Sequence, residues 1–196
     1  MFETPEYTPE EIQRVNENLV ALLAAIGEGR FADDLCSIGL LRAMHATTFR
    51  GVRSHAGRHR DRGFGQEYIT FGTPRRRSAH RNDVARRLEA LAAQTRREVS
   101  ALLEASESDD YDLRAIRLAV RAHAELLDIH PFEDGNGRTS RALLSHLLVT
   151  LGLRPFAPEF PRGEYLEALH AWDDRRELDP LVDLVIQVSA AQIPPG

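Results

Sequence analysis

The segment IHPFEDGNGRTSRALLSHLLVTLG, residues 129–152, organises the rest of the chain around itself. In its second half, ALLSHLLVTL, seven of ten residues are apolar, which leaves no polar face of ordinary width. A helix of that kind is buried and central. In its first half, Pro131 disfavours helical backbone at the residue before it, so a helix arriving from the N-terminal side ends at His130. Between the two helices Gly135 and Gly137 flank Asn136 at the mouth of the buried helix, and Phe132 is expected to plug the loop against the core.

Working outward, Ile12, Val15, Leu19, Leu22, Leu23 and Ile26 recur at three- and four-residue steps. With Pro9 just inside the start and Gly27 and Gly29 after the end, they predict an amphipathic helix over 8–26. A second helix is expected over 33–49, carrying Leu35, Ile38, Leu41, Met44 and His45, after which glycines at 51, 57, 63 and 65 break the pattern. Within that broken region only QEYITF, 66–71, is dense in β-branched and aromatic residues; with Gly72 and Pro74 behind it, it reads as part of a short β-hairpin. Helical patterning resumes over 79–104 and 113–130, with a polar loop at 106–112 expected to cap the second of these. Two more amphipathic segments, 164–172 and 179–190, complete the chain. The expected class is all-α with one small β excursion.

The 196 residues are 42% hydrophobic and 28% charged, the composition of one domain with its own core. All 25 basic side chains are arginine, which excludes lysine Schiff bases, Walker-type phosphate loops and a kinase-type lysine. A lone Cys36 forms neither an internal disulfide nor a multi-cysteine zinc site, and the acidic start MFETPEYTPEE is unlike a secretory leader. No apolar run approaches the roughly 20 residues of a bilayer span, so a cytoplasmic protein without membrane contact is expected. Charge is uneven: residues 42–97 carry fourteen arginines against four carboxylates, and residues 1–41 carry eight carboxylates against two arginines. Solvated helix faces account for such a pattern; a polyanion site or a docking face for an acidic partner are the sharper readings.

The chemistry concentrates in HPFEDGNGRTSR, 130–141. Backbone N–H groups at Gly135 and Gly137, with no Cβ in the way, converge at a helix N-terminus, a natural anion site. Arg138 and Arg141, three apart in the first helical turn, are expected on one face over the same concavity. Asp134 is a lone carboxylate beside it, which suits Mg²⁺ held by one protein oxygen, water and phosphates. His130 faces the loop from the opposite helix end as the imidazole placed to act as a general base. Its helix C-terminal position favours the protonated form, so activity is expected to fall on acidification through the imidazole range. Read as an EF-hand, the segment fails, because Thr139 would stand where glycine is required and Ser145 where the bidentate glutamate is required.

HPFEDGNGRTSR resembles the signature of the Fic family, His-Pro-Phe-x-Asp/Glu-Gly-Asn-Gly-Arg-x-x-Arg, and matches every specified position. LLRAMHATTFRGVRSHAGRHR is similar to the family's earlier helix and Ala-Gly-x-x-Arg element. QEYITF falls where the family places its flap, and YLEALHAW with DPLVDLV is similar to its closing helices. The resemblance implies a Fic-like helical bundle with a β-hairpin flap over 33–192, preceded by an N-terminal helical extension at 1–32. It implies a Mg²⁺-dependent nucleotidyltransferase that moves AMP from ATP, its co-substrate, to a Tyr, Thr or Ser hydroxyl of a target protein and releases pyrophosphate. By position, His130 would take the hydroxyl proton and Asp134 would hold Mg²⁺. Gly135, Asn136 and Gly137 would form the anion hole, and Arg138 and Arg141 would bind the outer phosphates. Tyr68, Ile69 and Thr70 of the flap would dock the target's backbone as an added strand.

Family members often carry an inhibitory Ser/Thr-x-x-x-Glu-Gly/Asn helix, in the same chain or in an antitoxin partner. Glu28-Gly29 with Ala24, and Glu17-Asn18 with Gln13, are the nearest candidates and lack the hydroxyl. An antitoxin or other inhibitory partner, another control, or none is therefore expected ahead of inhibition in cis. Some relatives transfer UMP or phosphate; the phosphate-transferring variant has Lys in the motif where this chain keeps Gly137-Arg138. Tyr165 and the flap are candidates for the nucleobase wall, with core packing the plainer role for Tyr165. From another class, Arg75, Arg76, Arg77, Arg81, Arg86, Arg87, Arg96 and Arg97 could serve a nucleic-acid or protein-binding module, and steep salt dependence of binding would mark it.

Overall fold

Thr8 opens the first helix with a reciprocal cap: its hydroxyl accepts the Glu11 N–H while the Glu11 carboxylate accepts the Thr8 N–H. With Pro9 in the first turn, α1 runs Pro9–Gly27. The computed structural model describes residues 7–71, 76–155 and 158–192. Within them follow α2 (Ile38–Thr48), β1 (Thr70–Phe71), β2 (Arg76–Arg77), α3 (Arg81–Glu104), α4 (Tyr111–Ile129), α5 (Asn136–Thr150), α6 (Arg162–Arg175) and α7 (Asp179–Ala191). The all-α class with a small hairpin is what the structure has.

Helix α5 is the hub, as its composition requires. Leu143, Leu144 and Leu147 are fully buried, and α4, α1 and α2 pack around the helix. Each such leucine contributes roughly 1.5–3 kcal/mol by leaving water. Helix α3 packs on α4, and α7 bridges α4 and α6. Leu22 and Ile26 of α1 belong to the same core as α4 and α5. The ends of α4 and α5 are tied by the Tyr111 hydroxyl, which donates to the Leu151 carbonyl at 2.9 Å.

Two elements differ from expectation. Helix α2 starts five residues late because Ser37 caps it, accepting the Leu40 N–H at 2.9 Å. The preceding Asp34 carbonyl is spent on His146 Nε2 of α5, 2.8 Å away, and so is withheld from a helical ladder. The polar loop before α4 supplies Asp110 at the cap position, but its side chain makes no capping bond.

The hairpin is also shorter than QEYITF suggests. Its ladder pairs Thr70 with Arg77 and Phe71 with Arg76, extended by Ile69 N–H to Ser78 Oγ at 2.8 Å and Ser78 N–H to Ile69 O at 2.9 Å. Gln66 and Glu67 are not strand; their backbone groups go to Arg60, Glu133 and Arg81. Gly72, Pro74 and Arg75 lie outside the described residues.

Candidate active site

The loop between α4 and α5 is shaped mostly by its own residues. His130 closes α4 in the left-handed conformation, φ 50° and ψ 60°, which turns the chain into Pro131. Phe132 is fully buried and stacks on His45 with ring centroids 3.9 Å apart, the plug its position predicts. Asn136 is buried and its amide reaches back to Phe132, accepting the N–H at 2.9 Å and donating to the carbonyl at 2.8 Å. Its side chain therefore braces the loop. Its N–H, with those of Gly137 and Arg138, belongs to the first turn of α5, ahead of the Thr139 N–H to Gly135 O bond at 3.0 Å.

Two glycines do different work here. Gly135 has φ 74°, and a Cβ there would fall 2.1 Å from the buried Phe49 ring, so only glycine fits. At Gly137 a Cβ would meet only Arg141 Nη1, at 3.9 Å. The space over Gly137 is thus an open cradle at a helix N-terminus with a guanidinium at its edge, which fits an anionic phosphate.

His130 Nδ1 lies 3.2 Å from the Leu127 carbonyl, a pure acceptor, which assigns the ring proton to Nδ1 and leaves the Nε2 lone pair free. The Phe71 ring lies flat on the imidazole, centroids 4.1 Å apart and planes 13° apart. Burial pushes the His130 pKa down to about 4; the Leu127 carbonyl opposes this and the Arg60 charge adds to it. The expectation that the helix end would favour protonation is overturned, because desolvation outweighs the helix-end field.

Arg60 is fully buried and meets this loop from behind. Its Nε and Nη2 donate to the His130 carbonyl at 3.1 and 2.6 Å, Nη2 also to Ser78 Oγ at 3.0 Å and Ala79 O at 3.1 Å, and Nη1 to Gln66 O at 3.0 Å. Burial lowers its pKa to about 10, which still leaves a cation at neutral pH. One guanidinium thus joins the end of α4 to both roots of the hairpin.

Asp134 is held at its backbone by His45. The Gly57 N–H donates to His45 Nδ1 at 2.8 Å, so the proton sits on Nε2, which donates to the Asp134 carbonyl at 3.0 Å. Gly57 has φ 82°, and a Cβ there would fall 2.9 Å from that of Ala46. The Asp134 carboxylate accepts the Gly135 N–H at 2.6 Å through Oδ1 and the Tyr7 hydroxyl through Oδ2. No arginine pairs with it among the described residues, and no group of three or more His, Cys, Asp or Glu set to hold a metal occurs among them. A single hard-oxygen carboxylate of this kind fits Mg²⁺ that keeps water and phosphate as its other ligands.

Tyr7 lies between two guanidinium groups, Arg53 at 4.1 Å from its ring centroid and Arg138 at 5.8 Å. Arg138 is also 5.7 Å from the Phe49 ring, on the α1 and α2 side. Arg141 turns to α6, its guanidinium near the Tyr165 hydroxyl, whose oxygen lies 2.9 Å from His123 Nε2. The two arginines bracket the first turn of α5 from opposite neighbours, where the three-residue spacing predicts a common face. Tyr165 packs in the core and stacks on Phe160; burial raises its pKa to about 12.

In the flap, Tyr68 is exposed and edges the His80 ring, Ile69 is bonded to Ser78, and Thr70 is exposed in β1. Of the inhibitory candidates, Glu28 pairs with Arg30 at 2.6 Å and Glu17 accepts from Gln13 at 2.8 Å. Asn18 donates to the Thr48 and Arg50 carbonyls. Half of the basic segment is paired within the chain: Arg76 with Asp173 and Asp174, Arg86 with Asp83, Arg81 with the Gly65 carbonyl, and Arg96 with the Cys36 carbonyl. Sequence reasoning missed His45, Phe71 and Tyr7 as site residues. Gly57 and Arg60 stood in a noticed Ala-Gly-x-x-Arg element, but their partners were unmarked.

A family model described as Fic/DOC matches residues 35–148, more than half of the chain, and the chain belongs to that family. It is 40% identical over 79 residues to protein adenylyltransferase fic-1 of Caenorhabditis elegans, covering 40% of this chain and 15% of that protein. It is 34% identical over 96 residues to a protein of Ostreid herpesvirus 1 named ribonucleoside-diphosphate reductase small chain, covering 49% of this chain and 15% of that one. The chain thus spans about 15% of the length of these curated relatives. Among solved structures, a Fic-domain signaling protein of Bacteroides thetaiotaomicron aligns with a TM-score of 0.69 at 18% identity, over 95% of this chain and 72% of that one. BepC of Bartonella tribocorum, with bound AMPPNP, aligns with a TM-score of 0.65 at 17% identity, over 91% and 86%.

Proposed function

We propose that the chain is a Mg²⁺-dependent protein adenylyltransferase that moves AMP from ATP to a hydroxyl side chain of a target protein. The observation that carries this reading is His130, its Nδ1 held by the Leu127 carbonyl and its Nε2 without a partner among the described residues, on the loop that leads into a glycine cradle bracketed by Arg138 and Arg141. The adenylyltransferase relative and the nucleotide analogue bound to BepC support it.

The target hydroxyl oxygen attacks the α-phosphorus while its proton passes to His130 Nε2. The bond from the α-phosphorus to the bridging oxygen breaks, and pyrophosphate leaves with the electron pair. The Leu127 carbonyl, already accepting from Nδ1–H, stabilises the imidazolium that forms. N–H groups of the first turn of α5 take the charge on the α-phosphate, and Arg138 and Arg141 take the outer phosphates. Asp134 would hold Mg²⁺, which when bound would offset negative charge on the phosphates. Residues 68–70 dock the target's main chain beside β1.

The buried, free Cys36 thiol, pushed by burial to about 12, is inert and suits a reducing cytoplasm. With Glu17 and Glu28 engaged elsewhere, inhibition by an antitoxin-type partner remains the favoured control.

The test is labelling in a lysate with Mg²⁺ and ATP radiolabelled at the α- or the γ-phosphate, comparing wild type with His130→Ala. Label from the α-position that vanishes in the variant is the expected result. Label from the γ-position would instead mean phosphoryl transfer and overturn the reading.

A further inference from the structure

Glu133 occupies a position that the HPFx(D/E)GNG signature leaves open, and its carboxylate reaches the root of the hairpin. Oε1 accepts the Gln66 N–H at 2.5 Å, and Oε2 accepts from Gln66 Nε2 at 3.4 Å. The approach requires glycine beside it: Gly65 has φ 82°, and a Cβ there would fall 2.2 Å from Glu133 Oε1 and 2.8 Å from Arg60 Cγ. The Gly65 carbonyl accepts from Arg81 Nη1 at 2.9 Å, and the Gln66 carbonyl from Arg60 Nη1 at 3.0 Å. The N–H, carbonyl and side chain of Gln66 are therefore all held by residues outside the hairpin ladder. Five residues further on, Phe71 lies on His130.

We propose that Glu133 is a positioning residue that clamps the hairpin's root to the loop carrying His130 and Asp134, and so sets where Phe71 lies on the imidazole. Glutamine keeps one acceptor oxygen for the Gln66 N–H, and alanine keeps none. The catalytic consequence rests on the adenylyl-transfer reading; the clamp itself is a property of the free protein. In transfer, loss of the clamp weakens use of the target, which docks on the hairpin, and leaves use of ATP unchanged, since the cradle and both arginines are built separately.

The experiment uses the full chain without nucleotide, as Glu133→Ala, Glu133→Gln and Phe71→Leu. Amide hydrogen exchange is read over residues 66–71 and the His130 ring protons by NMR, assigned with His130→Ala. Phe71→Leu marks where the imidazole signals fall without an aromatic ring over them. Glu133→Ala is expected to speed exchange across 66–71 at least about tenfold and to move the His130 signals most of the way to the Phe71→Leu position. Glu133→Gln is expected to keep both near wild type. A folded Glu133→Ala protein with wild-type exchange and unmoved His130 signals overturns the clamp. Glu133→Ser, too short to reach Gln66, replaces the alanine variant if that one does not fold. With labelled ATP, Glu133→Ala is expected to raise KM for the target at unchanged KM for ATP. A wild-type protein that transfers nothing would sink the adenylyl-transfer reading while the exchange and ring signals still decide the clamp.

Discussion

Acidification from pH 7.5 to 5.5 is expected to remove about 4 kcal/mol of folding stability, and three imidazoles account for it. His45, His123 and His130 are each pushed by burial from 6.5 to about 4. In an unfolded chain each ring returns to about 6.5, so between these values the unfolded state binds more protons and stability falls as pH falls. At pH 5.5 an unfolded ring is about nine-tenths protonated and the native ring almost wholly neutral, a loss of about 1–2 kcal/mol per ring. Burial lowers His146 in the same direction. Asp173, raised to about 6, and Glu125, raised by burial, take up protons in the folded state first and offset a fraction of the loss. Against a total stability of about 5–15 kcal/mol for a domain, the effect is large. Urea unfolding at the two pH values, followed by the fluorescence of Trp172, the chain's single and largely buried tryptophan, measures it. The midpoint is expected to fall by about 2 M at constant slope. Equal midpoints, with native His45 titrating near 6.5, would refute the reasoning.

Three further outcomes follow from the site. Gly135→Ala combines a left-handed backbone with a Cβ 2.1 Å from the Phe49 ring, so a loss of about 3 kcal/mol is expected; a Tm within two degrees of wild type would contradict the packing described. Tyr7→Phe keeps the ring by Arg53 and Arg138 but frees the Asp134 carboxylate, and should lower the Mg²⁺ concentration for half-maximal transfer about 2- to 10-fold. An unchanged Mg²⁺ requirement would mean that the hydroxyl does not compete for Asp134. Tyr165→Phe removes the hydroxyl beside the Arg141 guanidinium and is expected to raise KM for ATP several-fold at near-constant kcat, read from initial rates.

The part of the site that sequence made legible is the part that is local in sequence. Pro131 after His130, the two glycines around Asn136 and the apolar run after Arg141 fix a helix end, a cradle and a buried helix within 24 residues. What stayed hidden acts across long sequence separations. His45 reaches Asp134 over 89 positions and Arg60 reaches His130 over 70, and neither residue type advertises such a partner. The same distance explains the misjudged His130: its helix end was visible, but the burial and the Arg60 charge that oppose its protonation depend on contacts from elsewhere in the chain. The late start of α2 has a related cause, since the Asp34 carbonyl answers to His146, 112 positions away. Arg141 lies by the buried Tyr165 of α6, a neighbour that helix periodicity alone does not reveal.

The long reach of His45 and Arg60 also bears on how portable this chemistry is. A loop of twelve residues looks ready for grafting between any two helices. Yet Asp134 is aimed by an imidazole whose tautomer is written by Gly57, and the carbonyl of His130 is gripped by a guanidinium rooted at position 60. Moved alone, the loop would arrive without its aim. The smallest transplantable unit therefore runs at least from α2 through the hairpin to α5, and even that span leaves behind Tyr7 on the Asp134 carboxylate and Tyr165 beside Arg141.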